Sequence, residues 1–200
     1  MKKNSIAIIG LGYWGTIVTK TVVSMNFFKK IYIYDIDKKK VDLLKKKFKT
    51  KVYYCNLNQI KKDKLIKNIF LATPPKNNFN LLKSLIKYNK NILVEKPGLI
   101  KLNNFKKIKK LITNKKTKLT FGYIYIYNKY IRYLKKIINS NVLGNIRYIN
   151  LQRQNFGPIR NKVSAAYDLA THDISILHYL FKNKLSLKNS INHDVLGKKN

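Results

Sequence analysis

Three clusters of residues carry groups able to do chemistry, each with its own spacing. Gly10-Leu11-Gly12-Tyr13-Trp14-Gly15 stands near the start. Glycines spaced in this way let backbone N–H groups close on a diphosphate, and a helix opening there adds the positive end of its dipole. Glu95-Lys96-Pro97 lies mid-chain. An amine held among apolar strands can polarise a hydroxyl or share in proton transfer, and Pro97 stiffens the turn that aims it. Asp168-Leu169-Ala170-Thr171-His172 comes late. Residues at i and i+4 share one face of a helix, and an acid that sets the tautomer of an imidazole makes a general base of it. Each cluster alone has an ordinary reading: a tight turn, a surface lysine in a lysine-rich chain, a helix-capping acid beside a packed histidine.

The elements needed to position these groups can be read from periodicity. Ser5–Ile9 reads as a buried strand, 14–25 as a helix, and 30–34 as a second strand ending at Asp35. Asp35 stands twenty positions beyond Gly15, where a carboxylate would accept the ribose hydroxyls of a dinucleotide and repel a 2′-phosphate. An amphipathic helix follows over 38–47, then strands at 51–54 and 68–72. The second of these is stopped by Thr73-Pro74-Pro75. A helix over 77–88, a strand over 91–94, a helix over 103–112 and a strand over 118–124 complete an alternation typical of parallel α/β sheets. In such sheets ligands bind beyond the carboxyl ends of the strands. That rule brings Ala72, Thr73 and Pro74 to the same edge as Glu95, Lys96 and the glycine loop. Beyond about residue 122 the texture changes. The expectations there are a helix over 128–138, an exposed strand over 145–154 broken by Gly157-Pro158, an apolar helix over 167–181 and one more strand over 185–188.

Composition narrows the function classes. A length of 200 residues with 45% hydrophobic content allows one large domain, or one domain and part of another. The single cysteine, Cys55, excludes an internal disulfide and a thiolate zinc cluster, and fits a reducing cytoplasm. No metal site is expected. The apolar run after Met1-Lys2-Lys3 is short, punctuated by glycine and without a cleavage site, so it is not read as a signal peptide. No stretch approaches the length of a membrane span. A net charge of +35 invites a nucleic-acid reading. However, the basic residues are nearly all Lys, spread over every helix and mixed with abundant Asn, Ile and Tyr, which points to compositional drift and not to a specific nucleic-acid partner. Against that background the four arginines stand out. Arg153 and Arg160 bracket the Gly157-Pro158 turn, where a guanidinium fork could take a sugar carboxylate or a nucleotide diphosphate, while Arg132 and Arg147 read as surface. Of the other histidines, His178 is expected to pack within its apolar helix, and His193 lies in the polar tail. Asp173 reads as a surface or capping acid.

The order Gly-x-Gly-x-x-Gly, Ala-Thr-Pro-Pro, Glu-Lys-Pro, Asp-x-x-x-His resembles the glucose–fructose oxidoreductase/inositol dehydrogenase (Gfo/Idh/MocA) family over roughly residues 5 to 181. Gly-Leu-Gly-Tyr-Trp-Gly and Asp-Leu-Ala-Thr-His-Asp-Ile-Ser-Ile-Leu look most like members that oxidise nucleotide-linked sugars for surface polysaccharides. The resemblance implies a Rossmann-type doubly wound parallel sheet over 1–121. It also implies a truncated α+β substrate and dimerisation domain over 122–200, holding only a first strand and the Asp-His helix. It implies NAD, less readily NADP, as cofactor, and a sugar or nucleotide sugar as substrate. Lys96, Asp168 and His172 match the catalytic positions. Gly10, Gly12, Tyr13, Trp14, Gly15, Asp35, Ala72, Thr73, Pro74, Glu95 and Lys96 match cofactor contacts, and Asn128, Arg153 and Arg160 are the substrate candidates. Asn78 stands where the family often has His. A homo-oligomer is expected if the rest of the substrate sheet is supplied. The alternative is a non-catalytic chain that only holds the dinucleotide.

Overall fold

The computed structural model describes residues 5–153 and 166–182, together with 186, 188, 189 and 191. The chain divides into two compact units: among the described residues the first comprises those up to Tyr123 together with 166–168, and the second those from Ile124 to Arg153 and from Leu169 onward.

The first unit alternates strand and helix: β1 (Ser5–Ile9), α1 (Tyr13–Ser24), β2 (Ile31–Tyr34), α2 (Lys38–Phe48), β3 (Val52–Tyr54), α3 (Leu57–Lys62), β4 (Ile66–Leu71), α4 (Pro75–Ile86), β5 (Asn91–Val94), α5 (Leu102–Ile112) and β6 (Lys118–Phe121). The six strands form one parallel sheet in the order β3-β2-β1-β4-β5-β6. This is the expected Rossmann-type doubly wound fold. Connections run outward from β1 in one direction and then from β4 in the other, so the order reverses between these two strands. Both faces of the sheet are covered, so the strands are apolar on both sides. Ile6 and Ile8 pack with Val22, Ile33, Val41 and Leu44 beneath α1 and α2. Ala7 and Ile9 pack with Leu82, Leu85, Ile92 and Ile108 beneath α4 and α5.

Register aligns one edge. Ile9 lies opposite Tyr34 and Leu71, Leu71 opposite Val94, and Val94 opposite Phe121. The ladder continues one residue past each strand: Gly10 N–H donates to Tyr34 O, Ala72 to Ile9 O, Glu95 to Leu71 O and Gly122 to Val94 O. The next residues of the motifs therefore leave the sheet side by side. At the opposite edge Lys90 is buried, and its Nζ donates to Asp63 O at 2.5 Å and Ile66 O at 2.8 Å. Burial lowers its pKa.

Helix α3 has no counterpart in the periodicity analysis. It is nucleated by a capping box, with Gln59 N–H on Asn56 Oδ1 and Asn56 N–H on Gln59 Oε1.

The second unit holds a 3-10 turn (Ile124–Tyr127), α6 (Lys129–Asn139) and α7 (Thr171–Phe181). A π-helical turn (Ala166–Ala170) leads directly into α7, so Asp168 does not share one regular α-helix with His172 as expected. The expected strand over 145–154 is absent from its described part, 145–153. The alternation of Ile146, Tyr148, Asn150 and Gln152 is a side-chain pattern, whereas a strand exists only when its backbone groups find a partner. Gly157-Pro158 lies outside the described residues. Ser186 and Lys188 are not in a strand, and the rest of that expected element lies outside the described residues.

Candidate functional site

The glycine loop is built by three different demands. Gly10 has φ +91°, and a Cβ there would sit 2.8 Å from the carbonyl group of Ala72 and 2.9 Å from Thr73 N. The loop after β1 thus packs flush against the turn after β4. A Cβ on Gly15 would lie 1.8 Å from Gly10 O, so only glycine lets α1 start this close to the loop. A Cβ on Gly12 would meet nothing within 4 Å. Its small size serves no internal packing and leaves room over the α1 N-terminus, which has no capping side chain and no acid in its first turn. That open cradle fits a diphosphate. Tyr13 (77% exposed) and Trp14 (40% exposed) flank it, their rings T-shaped at 5.9 Å.

Asp35 closes the loop from the β2 side. Its Oδ2 accepts from Leu11 N–H at 2.6 Å and its Oδ1 from Asp37 N–H at 2.9 Å. Each carboxylate oxygen has a further acceptor site, so ribose hydroxyls remain within its chemistry.

The turns after β4 and β5 are tied together by Asn78, which is fully buried on α4. Thr73 Oγ1 donates to Asn78 Oδ1 at 2.5 Å, and Asn78 Nδ2 donates to Gly98 O at 2.8 Å. Asn78 therefore meets the donor and acceptor needs of both turns. The Lys96–Pro97 peptide is cis, and Gly98, at φ +73°, leaves space that the Phe121 ring fills. Burial pushes the Glu95 carboxyl up, against the opposing pull of the Lys96 charge and the Lys96 N–H. The Lys96 amine donates to Asp168 Oδ1 at 2.7 Å and to Asp168 O at 2.6 Å, both side chains being largely shielded from solvent. The first unit therefore joins two of the three expected catalytic residues in one ion pair.

In the second unit His172 is the second residue of α7, 9% exposed, with its carbonyl accepting from Ser175 Oγ. Its ring meets Tyr125 at 4.8 Å and 72°. Arg153 Nε and Nη2 hold the Asp173 carboxylate, Nη2 at 2.7 Å from Oδ1, and this partner pushes the guanidinium pKa further up. The guanidinium expected to face a substrate is thus engaged internally, and Asp173 is its partner. Asn128 Oδ1 caps α6, accepting from Tyr130 N–H at 2.9 Å and Ile131 N–H at 3.4 Å. His178, expected to pack, is exposed, because it falls between the buried positions Ile176 and Leu180 on α7. Arg160 and His193 lie outside the described residues. Sequence reasoning missed Tyr125 and the Arg153–Asp173 pair. The one available signal was an Arg in a chain that otherwise uses Lys. Among the described residues no group of three His, Cys, Asp or Glu side chains could hold a metal ion, and no helix is long and apolar enough to cross a membrane.

Comparison with known proteins agrees with this architecture. A family model described as an oxidoreductase family with an NAD-binding Rossmann fold (Gfo/Idh/MocA) matches residues 4–123. A curated relative, an uncharacterized oxidoreductase of Synechocystis sp., is 21% identical over 195 residues, covering 92% of this chain and 53% of the relative. The crystal structure of scyllo-inositol dehydrogenase from Lactobacillus casei with bound NAD(H) and scyllo-inositol superposes with a TM-score of 0.73. It is 17% identical, over 90% of this chain and 56% of that one. Myo-inositol 2-dehydrogenase from Lactobacillus plantarum gives a TM-score of 0.65 at 23% identity, over 72% and 43%. At these identities the solved structures speak to the fold. The chain spans about half the length of the relatives it matches.

Proposed function

The chain belongs to the Gfo/Idh/MocA oxidoreductase family, with its NAD-binding Rossmann fold, and from that premise we propose that it oxidises a hydroxyl of a sugar or nucleotide-linked sugar with NAD. The observation that carries this reading is the Lys96–Asp168 ion pair at 2.7 Å, because Lys96 leaves the same sheet edge as the glycine loop. Gly10, Gly12 and Gly15 hold the diphosphate, with Tyr13 and Trp14 alongside. Asp35 takes the ribose and disfavours a 2′-phosphate. Ala72, Thr73, Pro74 and Glu95 line the cofactor beyond β4 and β5. When bound, the nicotinamide supplies the hydride acceptor. In this reading His172 removes the hydroxyl proton with Asp168 as its orienting acid, and Lys96 polarises the hydroxyl and stabilises the developing alkoxide. For substrate contact Asn128 offers its amide nitrogen, its oxygen being taken by the α6 cap. Arg153 is engaged by Asp173. The inositol dehydrogenases among the solved neighbours support a ring hydroxyl as the reacting group. The lone cysteine, which is buried, supports a cytoplasmic setting.

The test is NADH formation with UDP-linked amino sugars and with inositols, for the wild type, Lys96→Ala and His172→Ala. Each substitution is expected to cost on the order of 100-fold or more, and unchanged turnover in both sinks the mechanism. Calorimetry separates the cofactor site from the fold. Gly12→Ala should weaken NAD binding by about tenfold or more while shifting stability by less than about 1 kcal/mol. Gly15→Ala should cost about 3–5 kcal/mol of stability outright. NAD binding without turnover of any sugar would instead support a chain that holds the dinucleotide and performs no catalysis of its own.

A further inference from the structure

His172 has a neighbour that no motif signals. Tyr125 stands in the 3-10 turn Ile124–Tyr127, and its ring makes a T-shaped pair with the imidazole, centroids 4.8 Å apart. Such pairs have a preferred geometry, so each ring restricts the rotamer of the other. A four-residue 3-10 turn is a weak mount on its own, since its hydrogen bonds are poorly aligned. Arg153 adds the missing support. Its guanidinium lies 5.0 Å from the centre of the Tyr125 ring, and Nη1 donates to the Tyr125 hydroxyl at 3.3 Å. The guanidinium is fixed in turn, with Nε and Nη2 donating side-on to the Asp173 carboxylate at 3.1 and 2.7 Å. Asp173 follows His172 directly on α7. The four side chains therefore form a closed circuit that begins and ends on the first turn of one helix.

The residue types match this geometry. A lysine at 153 would neutralise Asp173 equally well, but it has neither a planar fork for the carboxylate nor a flat face for the tyrosine ring. In a chain whose basic residues are nearly all lysine, an arginine here answers a demand for shape.

We propose that Tyr125 is the positioning residue of the His172 imidazole, and that the Arg153 fork on Asp173 holds Tyr125 in that role. The proposal rests on the reading of His172 as the base that accepts the hydroxyl proton. Proton transfer depends on the direction of the accepting nitrogen, and a displacement of ~1 Å can cost about 100-fold in rate. Tyr125 and Arg153 then act through His172.

The experiment uses the full chain and two readouts. The first is the nuclear Overhauser cross-peak between the Tyr125 and His172 rings, with the His172 resonances assigned by their loss in His172→Gln. The cross-peak should persist in Tyr125→Phe, which keeps the ring, and fade in Arg153→Lys, which keeps the charge but not the fork. Asp173→Asn replaces Arg153→Lys if the latter does not fold. The second readout is the kinetic split. Tyr125→Leu and Arg153→Lys should lower kcat by about 10- to 100-fold with KM within about threefold, and Tyr125→Phe should recover most of the rate. An Arg153→Lys chain that keeps both cross-peak and kcat overturns the proposal, as does a rise in KM with kcat unchanged, which would place these residues in substrate binding. A wild-type chain that turns over no sugar removes the catalytic reading of His172. The positioning is then decided by the cross-peak alone: its loss in Arg153→Lys supports the circuit, and its persistence overturns it.

Discussion

Glu95 sets site chemistry against stability. Its carboxyl stands beside Gly122, just past β6, and burial raises its folded-state pKa above the ordinary carboxylate value. In the window between those two values the native chain binds more protons than the unfolded one, so stability falls as pH rises through it. Lys96, directly adjacent, offsets part of this. Glu95→Gln should therefore be more stable than the wild type at pH 7 and should lose the decline that the wild type shows as pH rises from about 4.5. Thermal unfolding at pH 4 and pH 7 checks this, and a parallel decline in both proteins would place the titration elsewhere. Gly10, Gly12 and Gly15 look alike as letters but not in their surroundings. Two are demanded by contacts with the turn after β4 or the loop itself, and one by nothing among the described residues, which is why Gly12 alone speaks for a ligand.

At the scale of elements, strands β1 and β5 lie where periodicity places them, and most of the sheet's other elements within one or two residues. Their apolar runs face buried surface on both sides, so local pattern and tertiary demand agree. Helix α3 was legible only through its cap, Asn56 and Gln59, because a six-residue helix is too short to display a period. The alternating stretch from Ile146 misleads for the opposite reason, since it has a period and, among the described residues, no strand to pair with. Asn78 joins two loops that sequence treats separately. Asn78→Ala should cost about 1–3 kcal/mol by leaving Gly98 O unpaired in the interior and removing the partner of the Thr73 hydroxyl. A urea titration reads this as a lower midpoint with unchanged slope, and an unshifted midpoint would show that water replaces the amide.

For the whole molecule, charge is the dominant property: 43 Lys and Arg against 8 Asp and Glu. The folded chain works against its own repulsion, which is screened as the Debye length shortens from about 30 Å at 0.01 M salt to about 8 Å at 0.15 M. The thermal midpoint should rise by several degrees, on the order of 5 °C, across that range. Sulfate should raise it more than chloride. A flat response would mean that the lysines lie too far apart to couple. The sequence by itself determined the doubly wound sheet, the glycine loop, and the placing of Asp35, Thr73 and Lys96 at strand ends. Each of these follows from local periodicity and from the rule that parallel strands deliver their carboxyl ends to one edge. Tertiary structure alone decided that Lys96 pairs with Asp168, that Arg153 turns to Asp173, and that Tyr125 meets His172. These partners are 72, 20 and 47 positions apart in the chain. No local pattern encodes a contact that exists only once separate elements have packed.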